Sequence, residues 1–316
     1  MTRRHRTAAL TAALTLLLPL AACGGGGDDA PEESPEATEA RDAVTVSGDF
    51  GTAPEVEIDA PLELEESASW EETAGEGDEV TQTATTILQL TFYNGTSGEQ
   101  AISTYDNGQP LEVPVAQLFP SLSEALVGSA AGSRVVVAST AEDAYGEEGS
   151  PQLGIEAGDP VVMVADVVST DPTSVLEAPE GKETPAPEGA PTIVEQGGAP
   201  ASFDFTGRPP RRLQAYTLVE GEGPRIENPE RVTAHYLGQV WGGDEPFDSS
   251  YERGEPSTFS VGLSVVEGWS RGLEGVREGS RVMLVIPPRL GYGDEDREGI
   301  PAGSTLVFVI DVLGVG

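Results

Sequence analysis

The sequence predicts an α+β fold built twice in tandem, each copy a curved antiparallel β-sheet wrapped around one short α-helix. Three observations carry the prediction. Short β-branched apolar runs bounded by Gly and Pro recur: Val135-Val136-Val137, Val161 to Val164, Arg281 to Ile286 and Thr305 to Leu313. Runs of that length and composition read as strands. One segment per copy has helical spacing instead. In Val266 to Val276 the apolar Val266, Trp269, Leu273 and Val276 recur at three- and four-residue steps, and Phe119 to Val127 is its counterpart. The third observation is an internal repeat. Glu76-Gly77, Ser103, Tyr105 and Pro110 recur as Glu222-Gly223, Ser249, Tyr251 and Pro256, shifted by 146; Ser133-Arg134-Val135 and Tyr145-Gly146 recur at 147. A near-constant offset sustained this far marks two copies of one domain, 44–170 and 192–316.

The remaining segments follow in chain order. Arg3, Arg4 and Arg6 precede an apolar run, Ala8 to Leu18, that is far shorter than the ~20 residues of a membrane-spanning helix. Leu20-Ala21-Ala22 then leads into Cys23, the single cysteine of the chain. This pattern resembles a bacterial lipoprotein signal: residues 1–22 would be removed and Cys23 lipidated. The other reading is a plain secretory peptide with a chance cysteine. Residues 23–43, rich in Gly, acid and Pro, are expected to form a disordered acidic tether. A Pro/Glu-rich linker is expected at 171–191. One cysteine allows no intramolecular disulfide, so stability must come from packed cores.

Net charge is −37, from 54 acidic and 17 basic residues. Such a surface repels nucleic acid and anionic lipid, which argues against both as partners. Acidic clusters such as Asp294 to Glu298 lack an EF-hand pattern and read as solvated loop; neither metal nor cofactor is expected.

The second copy holds an ordered set of motifs: His235-Tyr236-Leu237-Gly238, Phe247-Asp248-Ser249-Ser250, Gly268-Trp269, Gly291-Tyr292-Gly293 and Thr305-Leu306-Val307-Phe308. Singly each reads as core or turn. Together, in this order and spacing, they resemble the FKBP-type (macrolide-binding) peptidyl-prolyl cis/trans isomerases over residues 209–316. The resemblance implies a pocket with Trp269 as floor and Tyr236, Phe247 and Phe308 as walls. It implies a rim N–H at Val265 or Val266 and a Tyr292 hydroxyl aimed at a substrate carbonyl. Asp248 would lie beside the reacting amide, held by Tyr236 and Arg253, and Ile300 would close the pocket. Asp248 and Tyr292 are then the expected catalytic residues. Ser257 stands where the family commonly has another aromatic, so one wall is expected to be thinner.

The chemistry suits such residues. Rotation about the bond before proline faces a barrier of ~18–20 kcal/mol from amide resonance, and needs neither nucleophile nor metal. A pocket that strips water from the amide and favours its twisted, less charge-separated form lowers the barrier by differential binding. In the first copy the same positions hold Leu90, Ala101, Ile102, Leu122 and Met163, with only Tyr145 kept. That copy is expected to share the fold and lack the activity. The whole reads as a lipid-anchored isomerase on the extracytoplasmic face of the cell membrane, acting on proline-containing exported polypeptides, with macrolides as inhibitors that the resemblance suggests. Competing readings are a non-catalytic peptide-binding chaperone and a surface-exposed structural module.

Overall fold

The computed structural model describes residues 35–316. The expected signal segment, Cys23 and the first part of the expected tether lie outside the described residues. Residues 35–43 depart from the expected disorder. They form helix α1 (Pro35–Ala43), in which Ala40 is buried against Val44 and Trp70. A run of acid and alanine can be helical once a neighbour covers its small apolar face.

The first copy contains the hairpin β1 (Val44–Ser47) and β2 (Glu55–Ile58), then β3 (Ala68–Thr73), β4 (Thr85–Asn94), β5 (Gln100–Ser103), β6 (Leu111–Pro114), helix α2 (Pro120–Leu126), β7 (Arg134–Ser139) and β8 (Val161–Thr170). Its sheet runs β3-β7-β8-β4-β5, with β6 also on β4. A two-residue strand β9 (Lys182–Glu183) follows. The second copy then has the hairpin β10 (Thr192–Gln196) and β11 (Ala199–Asp204), β12 (Gln214–Glu220), β13 (Glu230–Val240), β14 (Pro246–Ser249), helix α3 (Ser250–Arg253), β15 (Ser257–Val261), helix α4 (Glu267–Leu273), β16 (Arg281–Ile286) and β17 (Leu306–Val315). Its sheet runs β14-β13-β17-β16-β12-β9, with β15 also on β13. All the strand pairs are antiparallel.

The repeat extends to backbone irregularities. Register shifts at Glu71/Thr73, Ile87/Leu88 and Phe92/Tyr93 recur at Thr217/Val219, Thr233/Ala234 and Gly238/Gln239. A buried triad recurs too. Arg134 Nε donates to Asp166 Oδ1 at 2.6 Å and Tyr105 Oη to Asp166 Oδ2 at 2.5 Å; Arg281 and Tyr251 hold Asp311 in the same way at 2.5 and 2.7 Å. Paired and hydrogen-bonded charges of this kind are costly to break, about 3–5 kcal/mol when one partner goes.

Each sheet is covered on both faces. One face packs on a helix, α2 in the first copy and α4 in the second, where the added α3 departs from the one helix expected. The other packs beneath the copy's own N-terminal hairpin: Val44, Val46 and Val56 in the first copy, Ile193 and Phe203 in the second. Two-sided burial explains why the central strands read as continuous apolar runs and not as alternating ones. The 171–191 stretch is not a free connector here. Leu176 and Glu180 N–H groups bond Leu313 O and Gly279 O at 2.8 Å each, and β9 pairs with the edge of β12.

Candidate active site

Eight of the expected residues line one cavity of about 380 Å³ in the second copy: Tyr236, Phe247, Asp248, Val265, Val266, Trp269, Tyr292 and Phe308. Strand alternation brings them there. Tyr236 and Gly238 on β13 share a face with Phe308 on β17, since Gly238 pairs with Phe308 across the two strands. Trp269 lies on the first turn of α4, whose sheet-facing side is held close by glycine. A Cβ on Gly268 would come within 2.4 Å of Ile286 Cγ2. Seven residues make a marginal helix alone, so this packing, with Trp269 and Leu273 buried, holds it.

Trp269 is 3% exposed and stands edge-on to three rings: Tyr236 at 5.7 Å, Phe259 at 5.2 Å and Phe308 at 5.3 Å. Phe247 closes the set edge-to-face on Phe308 at 5.6 Å. Edge-to-face pairs of this kind contribute about 0.5–1.5 kcal/mol each beyond burial, so the walls are stiff. Gly238 makes the Phe247–Phe308 contact possible. A Cβ there would lie 2.6 Å from both rings.

The polar side of the cavity is a closed triangle. Tyr236 Oη donates to Asp248 Oδ2 at 2.5 Å, Arg253 Nη1 donates to Asp248 Oδ1 at 2.5 Å, and Arg253 Nη2 donates to Tyr236 Oη at 2.8 Å. Burial, then the bond to Asp248, push the Tyr236 hydroxyl up to about 12, so it remains a donor at physiological pH. The Tyr292 hydroxyl and the Val265 and Val266 N–H groups have no partner among the described residues. They are free to meet a ligand carbonyl.

His235, next to Tyr236 in sequence, belongs to the other face of β13. Its ring stacks on Tyr251 at 4.9 Å, and Nδ1 lies 2.9 Å from Ser250 Oγ. Burial holds its pKa below the usual histidine value. Ile300 is buried in the core of this copy and is not on the cavity wall.

Sequence reasoning missed Phe259, Leu263 and Ser264, which also line the cavity. Phe259 was recoverable. It stands two residues after Ser257 on β15, hence on the same face, and its ring supplies the wall that Ser257 leaves thin. Leu263 and Ser264 carry no such signal, because the loop before α4 has no periodicity to read.

In the first copy aromatic rings stand at the matching place. Phe92 stands where the second copy has Gly238, and its ring lies 6.1 Å from Phe119, which in turn meets Tyr145 edge-on at 5.0 Å. Ala101 and Met163 replace the two phenylalanines that Gly238 accommodates. Burial raises the Tyr145 pKa, and its hydroxyl has no partner among the described residues.

Comparison with known proteins matches both copies to one family. A sequence model described as FKBP-type peptidyl-prolyl cis-trans isomerase matches residues 71–165 and 223–313, together more than half of the chain. The chain is 40% identical over 116 residues to an FK506-binding protein of Streptomyces anulatus, covering 35% of this chain and 94% of that protein. It is 44% identical over 95 residues to the FKBP-type peptidyl-prolyl cis-trans isomerase FkpA of Buchnera aphidicola, covering 30% of this chain and 39% of the relative. The crystal structure of FkpA from Escherichia coli aligns at 39% identity over 33% of this chain and 47% of that one, with a TM-score of 0.31.

Proposed function

We propose that this chain, which belongs to the family of FKBP-type peptidyl-prolyl cis-trans isomerases and is an isomerase of that type, carries its catalysis in the second copy and assists the folding of exported proteins outside the cell membrane. The observation that supports placing catalysis there is the cavity floored by Trp269, with apolar walls on most sides and unpartnered donors at its rim. A proline ring enters against Trp269, Phe308 and Phe247. The preceding amide loses water and, with it, part of the solvation that favours its planar, charge-separated form. Tyr292 Oη and an N–H at Val265 or Val266 hold the flanking carbonyls, and Asp248 faces the rotating amide. Because the Tyr236–Asp248–Arg253 triangle is made within the protein, the carboxylate is oriented before the substrate arrives. Macrolides that present an apolar ring and carbonyls would occupy the same cavity.

Two further parts belong to the proposal. Cys23 carries a lipid anchor after removal of residues 1–22, which keeps the enzyme at the extracytoplasmic face; the Leu20-Ala21-Ala22-Cys23 sequence supports this. The first copy, 44–170, is a non-catalytic partner, supported by its aromatic infill.

Exchange NMR on a Leu-Pro peptide tests the central claim. The intact chain should accelerate cis/trans interconversion, and a macrolide should suppress the acceleration. Unchanged interconversion at high protein concentration would refute it. For the anchor, Cys23→Ala should leave an uncleaved precursor or release the protein from membranes; a processed, acylated product would refute that part.

A further inference from the structure

The mouth of the cavity is electrically one-sided. Loop 294–299 spans two of its wall residues: it follows Tyr292, and a Cβ on Gly299 would lie 3.1 Å from Phe247 Cβ. The loop carries Asp294, Glu295, Asp296 and Glu298 against a single Arg297, and all five side chains are exposed. Its one cation is already committed. Arg297 Nη2 bonds Glu295 Oε2 at 2.8 Å, and its guanidinium lies 5.3 Å from the Tyr292 ring centre. Arg253, on the polar side of the cavity, is tied to Asp248 and Tyr236. Asp294 and Glu298 have no partner among the described residues. Across the mouth, Leu263, Ser264, Val265 and Val266 bring no charge, and Leu263 is 38% exposed.

We infer that the site selects prolines with a lysine or arginine close by in the chain, the basic side chain lying along the Asp294–Glu298 loop while apolar neighbours cover Leu263. The inference rests on the isomerase reading of this cavity and adds the substrate class. An apolar cavity recognises the proline ring but cannot discriminate among the residues beyond it. Unneutralised carboxylates at its edge can, because fixed charges raise the local concentration of opposite charge and repel like charge. Both unpaired carboxylates are solvated, so the selectivity must weaken as salt shortens the screening length from about 10 Å at 0.1 M to about 3 Å at 1 M.

The test uses the intact chain and three peptides with one Leu-Pro core, carrying Lys, Gln or Glu at the second position on either side of the proline. Interconversion is read by exchange NMR at low and high salt. The Lys peptide should be turned over about tenfold faster than the Glu peptide at low salt, and about twofold at 1 M. Asp294→Asn with Glu298→Gln should bring the low-salt ratio down to about the high-salt value. A control variant, Glu65→Gln with Glu66→Gln on the first copy, should keep it, which separates the loop from the charge of the whole chain. Turnover of the Gln peptide with equal Lys and Glu rates would overturn the inference and leave the isomerase reading standing. A ratio that survives in the loop variant would overturn it too. No turnover of the Gln peptide would overturn both.

Discussion

The two copies share strand order, register shifts and a buried Arg–Asp–Tyr triad, yet one encloses a cavity and the other is filled. Four exchanges account for most of that difference. Gly238, Phe247, Trp269 and Phe308 of the second copy stand opposite Phe92, Ala101, Leu122 and Met163 of the first. In the second copy the strand gives up a side chain at its centre, and rings from neighbouring strands lean in from the sides to form walls. In the first copy one ring rises from the strand itself and occupies the space. What distinguishes the site from the core is whether the central strand position is left open, as at Gly238, or carries a ring, as at Phe92.

Transplanting the first copy's solution into the second is the severest test. Gly238→Phe with Phe247→Ala and Phe308→Met should leave the fold intact, because the same three residues coexist at Phe92, Ala101 and Met163. It should cut isomerase activity of the intact chain by at least about 100-fold. Circular dichroism and exchange NMR together decide this. Substantial residual activity would show that the first copy catalyses as well. Gly238→Phe alone should also destabilise the chain, by about 1–3 kcal/mol of overpacking.

Phe247→Ala alone opens the wall to water. A buried Phe truncated to Ala costs about 3–5 kcal/mol, and Phe247 is only half-buried, so the stability loss should be smaller. Turnover should fall by more than tenfold at a temperature where the variant is folded. Asp248→Val should lower turnover with less loss of stability, since the carboxylate is partly exposed and its partners can reach water. Tyr292→Phe should cost tenfold or less, one hydroxyl contributing about 0.5–1.5 kcal/mol net. If Tyr292→Phe abolished turnover while folded Phe247→Ala kept it, a single hydrogen bond and not desolvation would be the source of catalysis.

The smallest effect lies where the copies meet. Glu230 occupies the position of the first copy's Ala84, and burial pushes its carboxyl up to about 7. A carboxyl whose folded pKa is raised binds more protons folded than unfolded. Its cost to stability is therefore absent below about pH 4.5 and grows to its full size as pH rises to about 7. Glu230→Ala should raise Tm by about 2–4 °C at pH 8 and change it little at pH 4.5. Scanning calorimetry at the two pH values would show the difference. An equal shift at both would mean that burial of the charge is not the cause.

Residues with a strong local signature were legible before any coordinates. Trp269 at a helix start, Phe308 in an apolar run and Tyr292 between glycines each belong to one element whose type could be read, and the cavity contains all three. Phe259 is legible in principle from alternation on β15, since it shares a face with Ser257, where a thinner wall is expected. Ile300 is expected to close the cavity, yet the loop turns it into the core. A loop has no period, so the direction of its side chains does not follow from spacing. The N-terminal hairpins carry no such signal for a related reason: β10 and β11 are short and half-polar, and only the seating of Ile193 and Phe203 over Leu237 gives them a role.

Local chemistry alone determined the two-copy architecture, the strand-rich character, the aromatic set of the second copy and its loss in the first. Each depends on residue type and on offset along the chain, which a sequence records directly. Tertiary structure decided which face each ring takes, that Arg253 closes the triangle on Asp248 and Tyr236, and that the only arginine of the acidic loop is spent on Glu295 and Tyr292. Those outcomes depend on distances between elements far apart in the chain. Such distances are set by how closely the elements approach, here by glycines at 238 and 268, where Phe247, Phe308 and Ile286 take the space a Cβ would need.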